Sequence, residues 1–175
     1  LFVAYREMKN LERLLLRRIR SISLKRGENK RLMRFLANNS YVSVQQFYGI
    51  DVNREAIELA KVTLMIAKEL WYQQTKDRAF NSEKSLPLDN LDKNIICADS
   101  LFTKWPDADA IIGNPPFQSK RNMQEEFGAD YVNKLRTAYP EFPGRADFCV
   151  YWFYKTHQQL KVNSYAGLVG TNTIT

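Results

Sequence analysis

The spacing of apolar residues along the chain predicts several helices. Apolar side chains recur at helical spacing from Leu1 onward, and no Ser, Thr, Asp or Asn precedes them as an N-cap. Asn53 can cap a helix from about Arg54 to Tyr72. Further helices are predicted over Arg31–Ala37, Asn122–Tyr139 and Asp147–Leu160. The apolar stripe of the first helix contains Met8, Leu11, Leu14, Leu15, Ile19 and Ile22, and the face of the helix after Asn53 contains Ala56, Ile57, Leu59, Ala60, Leu64, Ala67 and Leu70.

Short apolar runs between these helices predict strands. The polar stretch Lys76–Lys93 contains Pro87 and is predicted to be a loop, and Pro140–Gly144 is predicted to be a turn. The strands are predicted over Gln46–Ile50, Asn94–Ala98, Ala110–Gly113 and a run near Tyr165–Gly170. Because strands and helices alternate, the pattern predicts an α/β fold with a mostly parallel sheet and helices on both faces.

Three predicted strands lead into polar residues, namely Asp51, Asp99 and Asn114. Ligands bind beyond the carboxyl ends of such strands, so the three side chains could point into one crevice. A carboxylate in the position of Asp51 can accept hydrogen bonds from ribose hydroxyls, or it can help to cap the next helix. Asp99 could accept from an adenine amino group or act as a turn residue. The three residues together, in this order, favour a binding site.

The segment Asn114-Pro115-Pro116-Phe117 follows the apolar run Ala110–Gly113. Two prolines remove two N–H donors and restrict the backbone, and the asparagine before them is pushed toward an extended conformation. The result is a rigid loop that offers an amide side chain, free carbonyl oxygens and an aromatic face. These groups suit a planar, amino-bearing ligand. The alternative is a turn that only ends the strand.

The composition is that of one globular domain. The chain has 175 residues, of which 45% are hydrophobic and 26% charged. No stretch approaches the ~20 apolar residues of a membrane span, and basic residues interrupt the N-terminal apolar positions, unlike a signal peptide. Cys97 and Cys149 lie in apolar runs, which indicates buried free thiols and a cytoplasmic location. The single histidine, His157, argues against a histidine-based metal site.

The net charge of +7 is concentrated near the N-terminus. Residues 1–34 contain eleven basic and three acidic side chains, a net charge of +8, so the remainder is about neutral. One interpretation is attraction to a polyanion such as DNA. The other is a solvated helix face, and the charge alone leaves both open.

Three motifs resemble those of DNA adenine-N6 methyltransferases. Tyr48-Gly49-Ile50-Asp51 resembles the ribose-binding motif of that family, Cys97-Ala98-Asp99-Ser100-Leu101 its adenine-binding motif, and Asn114-Pro115-Pro116-Phe117 its catalytic motif. The resemblance implies a Rossmann-like sheet of the class I methyltransferases and S-adenosyl-L-methionine as cofactor. It also implies double-stranded DNA as partner, with the target adenine flipped out of the helix.

The resemblance also implies roles for individual residues. In the catalytic motif, the Asn114 side-chain oxygen and the Pro115 carbonyl would accept the two N–H bonds of the target amino group, Pro116 would keep the loop rigid, and Phe117 would stack on the base. The cofactor-binding residues implied are Asp51, Val52, Asp99, Ser100 and Asn114. Lys120 and Arg121 are candidate phosphate contacts, with a solvated loop as the alternative. The aromatic residues of the segment after Asp147 are expected to pack in the core rather than to contact a base.

More narrowly, the chain resembles the MmeI-like, type IIG restriction-modification enzymes. The matching segments are Leu86–Leu91, Gly113–Phe117, Glu126–Val132 and Ala146–Phe153. The glycine-rich cofactor loop of that family would lie before Leu1, and its target-recognition domain would lie downstream. The expectation is therefore a partial catalytic domain over residues 1–175, truncated at both ends and inactive by itself, with a fused nuclease domain possible outside it.

Other functions share the same tetrapeptide. Protein-glutamine and ribosomal RNA guanine methyltransferases also carry it, but the polar insertion before Asn94 and the block from Gln118 to Trp152 match the DNA-modifying group better. A non-catalytic DNA-binding scaffold is a further alternative. A scaffold does not need Asn114, Asp51 and Asp99 together, which argues against it.

Overall fold

The computed structural model describes residues 1–26, 40–74, 90–118, 120–141 and 147–170. The chain divides into two compact units, Leu1–Ala98 and Asp99–Thr175. The predicted helix Arg31–Ala37 and residues 76–89 of the predicted loop lie outside the described residues, as do residues 142–144 of the predicted turn. In the described parts, helices accompany pairs of parallel strands, which fits the α/β class.

The first unit pairs two short parallel strands with two long helices. Helix α1 spans Phe2–Arg26, strand β1 Gly49–Asp51, helix α2 Arg54–Gln74 and strand β2 Ile95–Cys97. In the parallel pair β1–β2, Gly49 is opposite Ile95 and Asp51 is opposite Cys97. The core of this unit contains Tyr5, Val42, Val44, Ile57, Leu64, Ala67, Leu91 and Ile95.

Strand β1 begins later than the predicted Gln46. A 3₁₀ turn occupies Val44–Gln46. Ser43 caps this turn through its hydroxyl, which accepts from Gln45 N at 3.3 Å, and the Gln46 side chain accepts from Ser43 N at 2.8 Å. This reciprocal capping box satisfies backbone donors locally, so the segment turns instead of extending.

Helix α2 has the predicted cap and a narrower buried face than predicted. Asn53 Oδ1 accepts from Ala56 N at 3.0 Å, which confirms the N-cap. Ile57, Leu64 and Ala67 are buried, whereas Leu59 and Leu70 are 63% and 42% exposed. One side of α2 therefore packs on the core of the first unit.

Helix α1 is confirmed, but its apolar stripe is not buried in the described part of the chain. The stripe residues Met8, Leu11, Leu14, Leu15, Ile19 and Ile22 are all exposed. Among the α1 side chains that the structure describes, Tyr5 and Lys9 are buried. Lys9 Nζ donates to Glu12 at 3.1 Å and to the Ser40 hydroxyl, and the same Glu12 accepts from Val42 N at 3.2 Å. These polar contacts attach α1 to residues 40–42.

The second unit contains the strand before the Pro-Pro segment. Strand β3 spans Ala110–Gly113, as predicted, and pairs in parallel with β4, Tyr165–Leu168. Helix α3 spans Lys120–Ala138 and helix α4 spans Val150–Gln159. Inside α3, Gly128 adopts φ 80° and ψ 161°, so the helix is kinked there. The core contains Leu101, Met123, Val132, Leu135, Tyr139, Phe148 and Tyr151.

Helix α4 starts later than the predicted Asp147. The carbonyl of Asp147 accepts from Val150 N at 3.0 Å, and that of Phe148 accepts from Tyr151 N at 3.3 Å. These i to i+3 hydrogen bonds make a turn before the helix. Phe148 and Tyr151 are buried, which confirms that these aromatic residues pack in the core.

The two cysteines differ in exposure. Cys149 is a buried free thiol, as predicted, but the prediction for Cys97 was wrong because this free thiol is exposed. Cys97 ends β2, and its Sγ donates to the Val52 carbonyl at 3.4 Å. Across the described ranges, no helix is both long enough and apolar enough to cross a membrane.

Candidate functional site

The Asn-Pro-Pro-Phe loop follows β3 directly and is anchored at both ends. Before the loop, the Gly113 carbonyl accepts from Val169 N at 3.0 Å; after it, the Gln118 carbonyl accepts from Phe148 N at 3.0 Å. Pro115 is buried, whereas Asn114, Pro116 and Phe117 are exposed. The loop therefore presents an amide side chain and an aromatic ring from a fixed backbone.

Gly113 leaves room for the side chain of Leu168 just before this loop. A Cβ atom built at Gly113 would lie 3.0 Å from Leu168 Cδ2. Leu168 is the residue opposite Gly113 in the parallel pair. A side chain at position 113 would therefore require the Leu168 side chain to move.

Asp99 holds together the turn that follows β2 in the chain. Its Oδ1 accepts from Leu101 N at 2.9 Å and its Oδ2 accepts from Tyr131 OH at 2.8 Å. Its backbone carbonyl accepts from Phe102 N at 3.2 Å and Thr103 N at 3.0 Å. The geometry therefore fits the turn interpretation of Asp99. Each carboxylate oxygen can still accept another hydrogen bond, so the adenine-binding role stays a prediction.

Side chains of α3 and α4 hold the loop Asp99–Thr103. Trp152 Nε1 donates to Ser100 Oγ at 2.7 Å, and the hydroxyl of Tyr139, the residue after α3, donates to the Leu101 carbonyl at 2.6 Å. Lys155 Nζ donates to three backbone carbonyls of the loop: Ser100 at 2.5 Å, Leu101 at 3.0 Å and Thr103 at 2.6 Å. This part of the proposed cofactor site is built on helices that follow it in the chain.

Burial shifts the pKa values of the tyrosine and lysine side chains that hold this loop. It raises the pKa of Tyr131 above its ordinary value, and the hydrogen bond to Asp99 adds to the shift. It raises the pKa of Tyr139 to about 12, with a further contribution from the charge of Asp99. Burial lowers the pKa of Lys155, and the charge of Asp99 opposes that change. At neutral pH both tyrosines therefore remain hydrogen-bond donors.

An aromatic path connects the two loops of the second unit. Phe148, whose N–H is bonded to Gln118, packs against Trp152 with ring centroids 4.8 Å apart. Trp152 in turn is bonded to Ser100. Residues 148–155 thus contact both the Ser100 loop and the end of the Asn114 loop.

Asp51 and Val52 lie at the end of β1 in the first unit. Asp51 Oδ1 accepts from Asn53 N at 2.8 Å, which fits the interpretation that Asp51 supports the cap of α2. Asp51 is exposed and Val52 is 72% exposed. Asp51 keeps carboxylate lone pairs that can accept further hydrogen bonds, so its ribose-binding role stays a prediction.

Other predicted contacts remain untested. The side chains of Lys120 and Arg121 lie outside the part of the chain that the structure describes. Sequence reasoning did not identify Tyr131, Tyr139 or Lys155. For Lys155 a signal was present, because it is the one charged residue in the aromatic-rich run from Phe148 to Thr156. A lysine in such a run has to satisfy its charge inside the protein.

Comparisons with known proteins agree with the motifs. A family model described as "MmeI, DNA-methyltransferase domain" matches residues 1–175. DNA methyltransferase A of Bacillus subtilis (strain 168) is 26% identical over 162 residues, which cover 83% of this chain and 18% of that relative. The chain therefore spans about a fifth of the length of this curated relative. Since the family model covers the entire sequence, the chain belongs to the family of MmeI DNA-methyltransferase domains.

Proposed function

We propose that this chain supplies the catalytic residues of a DNA methyltransferase that transfers a methyl group to the N6 amino group of adenine. The observation that carries the proposal is the loop Asn114–Phe117, which leaves a parallel strand and is held by hydrogen bonds at both ends. Family membership supports DNA as the substrate. The relative named above is itself called a DNA methyltransferase.

The chemistry follows from the groups in that loop. An adenine amino nitrogen is a poor nucleophile because its lone pair is delocalised into the ring. Hydrogen bonds from its two N–H groups to the Asn114 side-chain oxygen and the Pro115 carbonyl would increase electron density on the nitrogen. Fixed acceptors of this kind need no reorganisation during the reaction. The buried ring of Pro115 supports such a fixed geometry.

Phe117 would stack on the target base after the base has left the duplex. The amino group is inaccessible for transfer inside a stacked helix, so the adenine has to be flipped out. Phe117 is 45% exposed and lies beside the proposed acceptors in sequence. Stacking of a base on an aromatic side chain contributes about 1–3 kcal/mol. A phenylalanine contributes shape and stacking here, since it has no hydroxyl group.

The carboxylates fit S-adenosyl-L-methionine as the methyl donor. This cofactor, when bound, supplies an already activated sulfonium methyl group. Asp51 and Val52 at the end of β1 would contact its ribose, and Asp99 and Ser100 its adenine, with Asn114 next to the reacting group. Both carboxylates retain lone pairs for hydroxyl or amino donors. The proposed arrangement is a Rossmann-like sheet of class I methyltransferases, in which ligands bind at strand ends.

The proposal also includes the contacts with DNA and the further domains of a longer protein. Substrate DNA would be attracted by the basic N-terminal region and contacted by Lys120 and Arg121. A target-recognition domain and a nuclease would belong to a longer restriction-modification protein in the cytoplasm, of which residues 1–175 form part of the catalytic domain. The share of the curated relative that this chain covers, 18%, is compatible with such a larger protein.

The test uses the full-length protein, double-stranded DNA and S-adenosylmethionine. After incubation, the DNA is digested and its nucleosides are analysed by mass spectrometry. The expected product is N6-methyladenine, and a reaction with the Asn114→Ala variant should form it about 10²–10³-fold more slowly. Methylated RNA guanine or protein glutamine, with unmodified DNA, would instead identify one of the other amino-methyltransferase classes. DNA binding without any cofactor binding would favour a non-catalytic scaffold.

A further inference from the structure

We propose that Lys155 is a positioning residue, which orients the carboxylate of Asp99 for the cofactor by holding the peptide unit between Ser100 and Leu101. The inference rests on the cofactor-binding role proposed above for Asp99. Lys155 is on helix α4 and Asp99 follows β2, so the two are 56 positions apart in sequence. Lys155 acts through the backbone and has no proposed contact with the substrate.

The peptide unit between Ser100 and Leu101 is held from both sides. Its carbonyl oxygen, on Ser100, accepts from Lys155 Nζ at 2.5 Å and from Trp105 Nε1 at 2.8 Å. Its N–H, on Leu101, donates to Asp99 Oδ1 at 2.9 Å. Because a peptide unit is planar, fixing the carbonyl also fixes the direction of the N–H. Lys155, together with Trp105, therefore orients the N–H group that one oxygen of the Asp99 carboxylate accepts from.

The positive charge of Lys155 is complementary to three backbone carbonyl oxygens of the loop. Three carbonyl oxygens, of Ser100, Leu101 and Thr103, converge on one Nζ atom. Their partial negative charges repel one another unless a cation lies between them, and an ammonium group has three donors for three acceptors. Trp105 adds a further favourable contact, since Nζ lies 5.1 Å from the centroid of its ring.

The burial of Lys155 shows that its charge has a role beyond filling space. The residue is 8% exposed within an aromatic core. Burying a charged group is costly unless it is well hydrogen-bonded, and an apolar residue would fill the same volume without that cost. All three oxygens that Lys155 contacts belong to the loop after Asp99. The cost of burial is thus offset by ordering this loop.

The other oxygen of Asp99 is held independently. Tyr131 OH donates to Asp99 Oδ2 at 2.8 Å. With Leu101 N on Oδ1 and Tyr131 on Oδ2, the plane of the carboxylate is fixed by two donors. Of these two donors, the one on Leu101 belongs to the peptide unit whose carbonyl accepts from the charged Lys155 and from Trp105. Removal of that charge should therefore release one side of the carboxylate while Tyr131 keeps the other.

The test compares Lys155→Met with a control of similar burial in the full-length protein. Methionine keeps most of the length and removes the charge. Val132→Ala, in the same core but without a hydrogen bond from its side chain to the loop, controls for loss of packing. Isothermal titration calorimetry measures the affinity for S-adenosylmethionine, hydrogen exchange measures protection of the Leu101 amide, and thermal denaturation gives the melting temperature of each variant.

Lys155→Met should weaken cofactor binding about tenfold and increase exchange at Leu101. Its KM for the cofactor should rise more than its kcat falls. Val132→Ala should lower the melting temperature without either local effect. Unchanged affinity and unchanged exchange in Lys155→Met, or equal effects in Val132→Ala, would overturn the proposal. If the wild-type protein binds no cofactor, the proposed function fails, and Leu101 exchange still decides whether Lys155 holds the peptide unit.

Discussion

At the scale of single residues, Asn114 is expected to matter far more for transfer than for cofactor affinity. Its exposed amide follows β3, and we propose that its oxygen accepts from the target amino group. Asn114→Ala should lower the methylation rate by about 10²–10³-fold, as for the loss of other fixed catalytic hydrogen-bonding groups. Cofactor affinity should stay near the wild-type value. Methylation rates and calorimetric titration measure the two effects.

A matched substitution controls for this result. Asn133 is an exposed asparagine in the middle of α3, and Asn133→Ala should leave both the rate and the affinity unchanged. Near-normal methylation by Asn114→Ala would contradict the catalytic assignment.

Phe117 is expected to act on the DNA base. Phe117→Ala should weaken binding of the flipped adenine by about 1–3 kcal/mol, since the stacking surface is lost. Phe117→Tyr should be tolerated, because the ring is 45% exposed and keeps its face in the tyrosine. Fluorescence of 2-aminopurine at the target position reports flipping in both variants. Equal signals from wild type and Phe117→Ala would exclude a stacking role.

The titration of Tyr139 predicts a loss of stability in alkaline solution. In the unfolded chain a tyrosine loses its proton near pH 10, whereas burial holds the pKa of folded Tyr139 at about 12. Above pH 10 the unfolded state therefore binds fewer protons than the folded state, and the free energy of unfolding falls as the pH rises toward 12. Urea denaturation at several pH values should show a smaller fall for Tyr139→Phe. The same slope in both proteins would contradict this assignment.

The sequence predicted the rigid Pro-Pro loop of the candidate site, but it did not predict the contacts of Asp99 with Tyr131 or of Lys155 with the loop after Asp99. Pro115 and Pro116 restrict their own backbone, so the local sequence was enough to predict a rigid loop. The contact between Asp99 and Tyr131 joins residues 32 positions apart, and no local pattern specifies it. The hydrogen bonds of Lys155 bridge even longer separations. Local chemistry identified the loop, whereas the groups that hold the neighbouring turn depend on tertiary packing.

At the scale of elements, Gly113 ends the strand before the proposed catalytic loop and faces the Leu168 side chain. A Cβ at this position would contact Leu168 Cδ2 at 3.0 Å, so Gly113→Ala should displace the leucine and cost about 1 kcal/mol of stability. The methylation rate should also fall, because Asn114 is the next residue. Chemical denaturation and rate measurements test both effects.

The chain offers a control on the paired strand. Gly167 is in β4, where an added Cβ meets nothing within 4 Å, so Gly167→Ala should be tolerated. Leu168→Ala should remove most of the extra cost of Gly113→Ala in a double-mutant cycle, since the contacting atom is absent. If Gly113→Ala and Gly167→Ala behave alike, the contact between position 113 and the Leu168 side chain has no role.

Elements with a strong local signal were predicted well. Strand β3 has its predicted bounds, and Asn53 caps α2. The start of β1 was missed because the capping box at Ser43 satisfies the backbone within four residues. The apolar stripe of α1 has the spacing of a buried face, yet those residues are exposed. Periodicity predicts that a helix forms and does not specify which surface covers it.

At the scale of the whole molecule, positive charge is concentrated on α1. Arg17, Arg18 and Arg20 are exposed on this helix, whereas Lys9 is buried against Glu12 and Ser40. We expect the three arginines to contribute to DNA attraction. Replacing all three by glutamine should weaken binding to any DNA sequence and reduce the slope of log affinity against log salt by up to about 3. Fluorescence anisotropy over a salt series measures both quantities.

A charge-matched control separates attraction at this helix from net charge. Lys93, Lys104 and Lys134 are exposed elsewhere in the chain, and their replacement by glutamine removes the same formal charge. This triple variant should have a smaller effect on affinity and slope. Equal effects would indicate a general charge contribution and favour the solvated-face interpretation of α1.

The alternation of helices and strands predicted the α/β class, and each described strand pair is parallel. The pairing of β1 with β2 and of β3 with β4 could not be read from the sequence, because strands of three or four residues carry little register information. The chain forms two compact units, each with its own core.

The kink in α3 has a stereochemical consequence. At Gly128, with φ 80° and ψ 161°, an added Cβ meets no atom within 4 Å, so space does not exclude a side chain. The backbone conformation does, because it is the mirror image of one that L-amino acids adopt easily. The requirement at this position is therefore one of handedness: even alanine in its natural form is strained there, whereas a D-amino acid, for which these angles lie near the extended region, is strained less.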